Sequence, residues 1–160
     1  MSMLSGLFWF GVAAYGYDVL IRPDQIAEEA KQEARRRQKP ILNIGAGTNE
    51  SSLRAFLFGP TLWGDVNLDI AAKPGIPSPQ KVVYGNIYNI PFPDKYFGSV
   101  VASHVVEHLE NPKEAIDELY RVADSVYVIT PLWWCPHTWL HPDHKWLITK
   151  DGKGQYIKIE

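Results

Sequence analysis

The chain has 160 residues, of which 46% are apolar and 21% charged, a composition that favours one folded domain and argues against bulk disorder. Its formal net charge of −2 means that the chain has no overall excess of basic residues, so we expect no nucleic-acid partner. The single cysteine, Cys135, excludes an internal disulfide framework and fits a reducing compartment.

The N-terminal residues are strongly apolar. Between Met3 and Ile21 the only charged residue is Asp18, and about 19 residues are just enough to cross the hydrocarbon core of a bilayer. We therefore predict a hydrophobic transmembrane helix over residues 1–22, with a single pass and a cytoplasmic main domain because basic residues follow it. A helix packed on a cytoplasmic protein is the alternative. A signal peptide is disfavoured, since no Lys or Arg precedes the apolar run.

A charged linker helix is predicted over residues 23–39. Acidic residues such as Asp24 and Glu28 come early and basic residues from Arg35 to Lys39 come late, an order that matches the helix dipole. The basic end either touches anionic lipid or is an ordinary solvated face, and we favour the solvated face.

An apolar strand then runs into two glycines. Residues 41–44 have buried-strand character, and Gly45 and Gly47 follow directly. Glycines at this point let the chain turn sharply and leave no Cβ to hold a ligand away. Open α/β sheets hold adenosine-containing cofactors in this way, although a glycine pair also serves as an ordinary turn.

Strands and helices alternate along the rest of the chain. The pattern predicts helices over residues 51–58 and 112–122 and strands over residues 66–70, 81–84, 98–103 and 125–130. Such alternation predicts an α/β, Rossmann-like, mostly parallel sheet with right-handed crossovers, which we assign to a domain over residues 40–160. A ligand is expected at the carboxyl ends of the strands.

Five segments together form a specific pattern. They are residues 41–47 (Ile-Leu-Asn-Ile-Gly-Ala-Gly), 68–70 (Leu-Asp-Ile), 85–97, 103–109 (Ser-His-Val-Val-Glu-His-Leu) and 144–149. Their order and spacing resemble the class I S-adenosylmethionine-dependent methyltransferases, in particular the small methyltransferase-domain branch. The resemblance covers roughly residues 40–150. It implies a methyltransferase fold, here shortened at its C-terminal end.

The resemblance also implies a site for S-adenosyl-L-methionine. Gly45 and Gly47 would let the methionine part of this cofactor approach the backbone. Asp69 would accept hydrogen bonds from the ribose hydroxyls, a task for an acceptor-only group. Asn86 would bond the amino edge of the adenine, and Ile87 would lie against the adenine ring.

Further cofactor contacts follow from the same resemblance. Ser103 and His104 would lie beneath the reactive sulfonium, and Asn43 would hydrogen-bond near the cofactor without the charge that an acid there supplies. The family usually has an acid where this chain has Asn43, Asn86 and Gly98, and a third glycine where it has Asn49.

The C-terminal residues differ from the family as well. After Thr149 the family continues with a helix and an antiparallel strand pair, whereas here residues 155–159 suit a single strand. We expect an open sheet edge that a protein partner or a second copy covers.

Histidines are the candidate catalytic groups. Methyl transfer to an acidic nucleophile needs a general base, and histidine titrates near neutral pH. His104 and His108 follow the fourth predicted strand, and His144 lies in the C-terminal segment. Each of the three is a candidate base, although His108 can equally cap a helix.

The spacing His137-x3-His141-x2-His144 also invites a zinc interpretation. Pro136 and Pro142 are expected to break any helix there, and Cys135 adjoins Pro136 in an aromatic loop. We therefore predict an active-site or packing loop, with no metal.

An aromatic cluster lies on the expected substrate side of the crevice: Trp133, Trp134, Trp139 and Trp146. Aromatic walls can enclose a sulfonium and exclude water, face a bilayer interface or pack against a partner chain. All three roles stay open at this point.

These observations predict an S-adenosylmethionine-dependent methyltransferase that acts on a small-molecule or lipid-like acceptor, held at a membrane by residues 3–21. The alternative is a catalytically inactive methyltransferase-like fold that serves as a membrane-associated structural or assembly subunit. A nucleotide-binding dehydrogenase is disfavoured, because the Gly-x-Gly segment lacks a third glycine.

Overall fold

A computed structural model describes residues 9–13, 16–17, 21–46, 62–71, 81–148 and 157–158. Gly47 and the helix predicted over residues 51–58 lie outside these ranges.

Five parallel strands form the central sheet. They are β1 (Ile41–Ile44), β2 (Val66–Asp69), β3 (Lys81–Tyr84), β4 (Phe97–Ser103) and β5 (Ala123–Ile129). Their order is β3-β2-β1-β4-β5, and every neighbouring pair is parallel. This confirms the predicted α/β, Rossmann-like sheet. The strand order reverses between β1 and β4, where open α/β sheets form their ligand crevice.

Helices connect and flank these strands. The elements are α1 (Arg22–Arg36), a 3-10 turn (Val106–His108), α2 (Pro112–Val122), α3 (Pro136–Leu140), β6 (Trp146–Leu147) and β7 (Ile157–Lys158). β6 and β7 form a separate antiparallel pair. Among the described strands, none pairs with the outer edge of β5.

Helix α3 corrects one expectation. Pro136 is its first residue, whereas the sequence predicted that Pro136 prevents a helix here. A proline at the first helical position is compatible with a helix, because the N–H that it lacks would have no partner within the helix anyway.

The core lies on both faces of the sheet. On one face Ile116 and Leu119 of α2 pack against buried strand residues such as Leu42 and Val100. On the other face Ala30 and Ala34 of α1 pack against residues that include Ile41, Val101 and Ile129. Helices therefore cover both faces of the sheet, as is usual for an all-parallel sheet.

Helix α1 packs unusually close to β4. An added Cβ at Gly98 would lie 2.8 Å from Ala34 Cα and 3.2 Å from the Ala34 carbonyl oxygen. Ser99 Oγ donates to the Ala30 carbonyl oxygen at 2.7 Å. The segment predicted as a linker over residues 23–39 is therefore packed on the sheet over most of its length.

The membrane prediction is contradicted. Within the described ranges, which include residues 9–13 and 16–17 of the apolar N-terminal segment, no helix combines the length and apolar character needed to cross a membrane. The single-pass membrane localisation is thus corrected, and residues 1–8, 14–15 and 18–20 of the segment predicted over residues 1–22 lie outside the described ranges.

Charged groups cluster at the amino ends of the strands. Lys39 Nζ contacts Asp124 Oδ2 at 2.7 Å and donates to the Lys95 carbonyl oxygen at 2.8 Å. Lys95 Nζ in turn donates to the carbonyl oxygens of Tyr120 and Ala123 at the end of α2. These bonds fix the start of β4 and β5.

A second polar cluster anchors the chain between β3 and β4. The Arg121 guanidinium donates to the carbonyl oxygens of Ile90 and Phe92, both at 3.0 Å, and forms bonds of 2.7 and 2.8 Å to Glu118. Glu118 Oε1 accepts the Ile90 N–H at 2.7 Å. The hydrogen bonds from Arg121 hold the pKa of Glu118 below its ordinary value of 4.5.

This lowered pKa predicts an acid-sensitive contribution to stability. It is fully present above about pH 4.5 and is lost as the pH falls through the lower folded-state pKa, because only the unfolded chain takes up the proton readily. We expect Glu118→Gln to be less stable than wild type at pH 7, with the difference shrinking toward pH 3. Urea unfolding of wild type and Glu118→Gln at a series of pH values measures this difference in stability. Glu114→Gln, an exposed change on the same helix, is the control, and a difference independent of pH would contradict the prediction.

Candidate functional site

The turn after β1 is built around Gly45. Its backbone is left-handed, with φ of +69°, a conformation that glycine adopts without steric cost. Its N–H donates to the Leu68 carbonyl oxygen of β2 at 2.9 Å. An added Cβ would lie 2.3 Å from Val105 Cγ2. The absence of a side chain therefore lets the segment after β4 come close to the end of β1.

Two of the predicted cofactor contacts lie beside this glycine. Asp69 ends β2 and is half-buried, and one carboxylate oxygen accepts the Ala71 N–H at 2.7 Å. Asn86 follows β3 and is exposed, with Oδ1 accepting the Tyr88 N–H at 3.1 Å. Three neighbouring strands thus end in a bare backbone turn, a carboxylate and an amide.

Two other predicted contacts are engaged elsewhere. Asn43 is only 3% exposed, and its Nδ2 donates to Asn67 Oδ1 at 3.0 Å. Asn67 also exchanges hydrogen bonds with the backbone of Gly64. Ile87 is buried in the core layer shared with α2. Both side chains are thus buried inside the protein.

These end groups match the donors and acceptors of an adenosyl ligand. Ribose hydroxyls need an acceptor such as the Asp69 carboxylate, and a cofactor backbone needs a close approach such as Gly45 allows. The family model described as a methyltransferase domain matches residues 42–126, just over half of the chain. The chain belongs to the methyltransferase-domain family. No curated protein matches it.

The methyltransferase domain places a histidine and a buried acid directly after β4. His104 has a left-handed backbone with φ of +53°, a conformation that is uncommon outside glycine and that clusters at functional sites. Its Nδ1 lies 3.4 Å from Glu107 Oε1. Among the described residues, its buried Nε2 has no hydrogen-bond partner. Ser103, the last residue of β4, is half-buried.

Glu107 is the functional candidate that the sequence interpretation missed. It is 1% exposed, and neither carboxylate oxygen has a hydrogen-bond partner among the described residues. Burying a carboxylate in this way is costly unless a positive charge or donor compensates it. The available signal was an acid that directly follows the apolar pair Val105 and Val106 and precedes His108 and Leu109.

Three histidine rings of the methyltransferase domain converge next to Glu107. One nitrogen from each of His108, His141 and His144 lies within 4.8 Å of the others. The rings of His141 and His144 stack with centroids 4.5 Å apart, and His108 lies 5.0 Å from His144. The side chain of His137, which the sequence spacing grouped with His141 and His144, lies outside the described part of the structure.

Backbone groups orient two of these rings. His108 Nδ1 lies 2.9 Å from the Asp143 carbonyl oxygen, and His144 Nδ1 lies 3.0 Å from the Thr138 carbonyl oxygen. A carbonyl only accepts, so both Nδ1 atoms carry the proton. Burial lowers the pKa of His144 below its ordinary value of 6.5, which favours its neutral form near pH 7.

Two of the tryptophans lie away from the glycine turn. Trp133 and Trp134 line a groove of about 890 Å³ beside β5, two strands away from Gly45 in the sheet order. Trp139 Nε1 donates to the Trp133 carbonyl oxygen at 2.7 Å. Trp146 Nε1 donates to the Leu109 carbonyl oxygen at 2.8 Å. These bonds tie the C-terminal segment to itself and to the 3-10 turn.

Proposed function

We propose that the chain binds S-adenosyl-L-methionine and transfers its methyl group to a small-molecule or lipid-like acceptor. The observation that carries this proposal is the pairing of the Gly45 turn with the Asp69 carboxylate. These two groups end neighbouring strands beside the β1–β4 reversal, where sheets of this class bind their ligands. Membership of the methyltransferase-domain family supports the same cofactor.

In this proposal Asp69 accepts hydrogen bonds from the ribose hydroxyls, Gly45 admits the methionine part, and Asn86 contacts the adenine. The cofactor, when bound, supplies an electrophilic methyl group on a sulfonium. The protein's contribution is to position the acceptor in line with that methyl group and to exclude water, which is the main catalytic device for a displacement without covalent enzyme chemistry.

His104 is the proposed general base. Glu107 faces its Nδ1 at 3.4 Å, and this carboxylate favours the tautomer in which Nδ1 carries the proton. Nε2 is then the basic atom, and among the described residues nothing else engages it. Glu107 acts here as a positioning residue through its 3.4 Å contact with the ring, since neither of its oxygens is hydrogen-bonded among the described residues.

Calorimetric titration of the full chain with S-adenosylmethionine and with S-adenosylhomocysteine tests the cofactor site. We expect Asp69→Ala to weaken binding of both by roughly 10- to 150-fold, because hydrogen bonds to a charged group contribute about 1.5–3 kcal/mol. Asp117→Ala removes a carboxylate exposed on α2 and is expected to leave both affinities unchanged.

Equal binding by the Asp69→Ala protein and wild type would refute the assigned site. Absence of binding at millimolar cofactor would instead favour the second candidate, a methyltransferase-like fold with a structural role. One observation favours that candidate: Asn43, at a position where the family usually has an acid, hydrogen-bonds to Asn67 inside the sheet.

A further inference from the structure

We propose that His108, His141 and His144 bind a divalent transition-metal ion of the zinc type, with the Glu107 carboxylate beside them as a fourth ligand or neutralising charge. The proposal does not rest on the function proposed above. It joins the 3-10 turn after β4 to the segment between α3 and β6. Those two parts of the chain are far apart in sequence, and only the fold brings their histidines together.

The convergence of the rings is the first argument. The three nitrogens lie within 4.8 Å of one another, whereas two ligand nitrogens on tetrahedral zinc are about 3.4 Å apart for Zn–N bonds of about 2.1 Å. Small ring rotations close that difference. His141 is exposed, so its side chain has room to make this adjustment.

The backbone contacts of the rings are the second argument. Metal-bound imidazoles usually donate their other N–H to a carbonyl or carboxylate, which fixes the tautomer and the ring plane. His108 and His144 already do this through the carbonyl oxygens of Asp143 and Thr138, so Nε2 is the ligand atom when either ring binds a metal. His141 Nδ1 accepts the Asp143 N–H at 3.3 Å, a long bond that His141 gives up if it binds through Nε2.

The buried acid is the third argument. Glu107 Oε1 lies 3.9 Å from His108 Nε2, and both carboxylate oxygens lack hydrogen-bond partners among the described residues. A cation held by the three imidazoles would lie beside this carboxylate and compensate it, and imidazole nitrogens favour zinc-type ions over calcium or magnesium. The Lys145 N–H donates to the Glu107 carbonyl oxygen at 2.9 Å, so the backbones on the two sides of the site are already joined.

The test uses the purified full chain after removal of metal with a chelator. Titration with Zn²⁺ is expected to give one equivalent per chain, and titration with Co²⁺ to give the visible absorption of a tetrahedral nitrogen-ligated ion. Loss of an outer partner typically weakens metal binding roughly 10- to 100-fold. We expect Glu107→Gln to weaken zinc binding by a factor within or above that range. His141→Ala and His108→Ala are each expected to weaken zinc binding more than Glu107→Gln does.

Glu114→Gln is the matched control for Glu107→Gln, because it makes the same change at an exposed side chain on α2. It is expected to keep wild-type zinc affinity. Far-UV circular dichroism and a melting curve establish that each variant is folded, and His141→Ala changes an exposed side chain, so it tests the site even if His108→Ala unfolds. Equal zinc affinity of the Glu107→Gln and Glu114→Gln proteins would overturn the assignment, as would zinc binding by wild type no tighter than by His141→Ala.

Discussion

Gly98→Asp is expected to lower the free energy of unfolding by about 3–6 kcal/mol. The family usually carries an aspartate at this position, yet here α1 occupies the space that its side chain would need. An added Cβ would lie 2.8 Å from Ala34 Cα, and a backbone atom cannot rotate away as a side-chain tip can. Overpacking of this kind costs about 1–3 kcal/mol, and burying an unpaired polar or charged group adds about 2 kcal/mol or more.

Urea unfolding followed by far-UV circular dichroism measures this effect. Gly98→Ala separates the cost of overpacking from the cost of burying the carboxylate, because it adds the Cβ alone. It is expected to lower the free energy of unfolding by only about 1–3 kcal/mol. Gly11→Ala is the control, since no atom of the described residues lies within 4 Å of its added Cβ. If the free energy of unfolding of Gly98→Asp lies within about 1 kcal/mol of the wild-type value, the close packing of α1 on β4 does not constrain the residue at position 98.

The second large effect is expected at Gly45. Gly45→Ala forces an L-residue into a left-handed conformation, which costs about 1–2 kcal/mol, and its Cβ would overlap Val105 Cγ2. With about 1–3 kcal/mol for the overlap, we expect a total loss of about 2–5 kcal/mol in the free energy of unfolding. Because the same turn forms one wall of the crevice, weaker binding of S-adenosylmethionine should accompany the loss of stability.

A double-mutant cycle separates backbone strain from overlap. Val105→Ala removes the atom that the new Cβ meets, so Gly45→Ala should be less damaging in that background by roughly 1–3 kcal/mol, within the range of coupling between contacting residues. The residual cost measures the left-handed backbone alone. Strictly additive effects in urea unfolding would mean that Val105 does not press against this turn.

Much of the fold could be predicted from sequence because its signals are local. Strands β1 to β5 are short apolar runs bounded by turn residues, and α2 shows helical spacing of its apolar residues. The packing of α1 was less apparent. Three of its four buried positions, Ala27, Ala30 and Ala34, are small residues among many charges, a pattern that is typical of a linker. Alanine buries little area, but it permits the close backbone approach that Gly98 also requires.

The site was predictable to a smaller extent. Gly45 and Asp69 lie together as the strand order implies, because β1 and β2 are neighbours. The pairing of Asn43 with Asn67 depends on register between two strands, which spacing along one strand does not reveal. The same limitation applies to the histidines. Regular spacing grouped His137 with His141 and His144, whereas the fold adds His108 from a turn far earlier in the chain.

The distribution of polar groups has a practical consequence. Lys39, which contacts Asp124, precedes the four-residue strand β1, and Gly45 follows it, so the two ends lie about 20 Å apart along extended chain. A biosensor chip or fluorophore attached near Asp124 would therefore leave the opposite rim open to added compounds. Thiol coupling suits this purpose, since Cys135, the native sulfhydryl, is fully buried and would compete little with an engineered one.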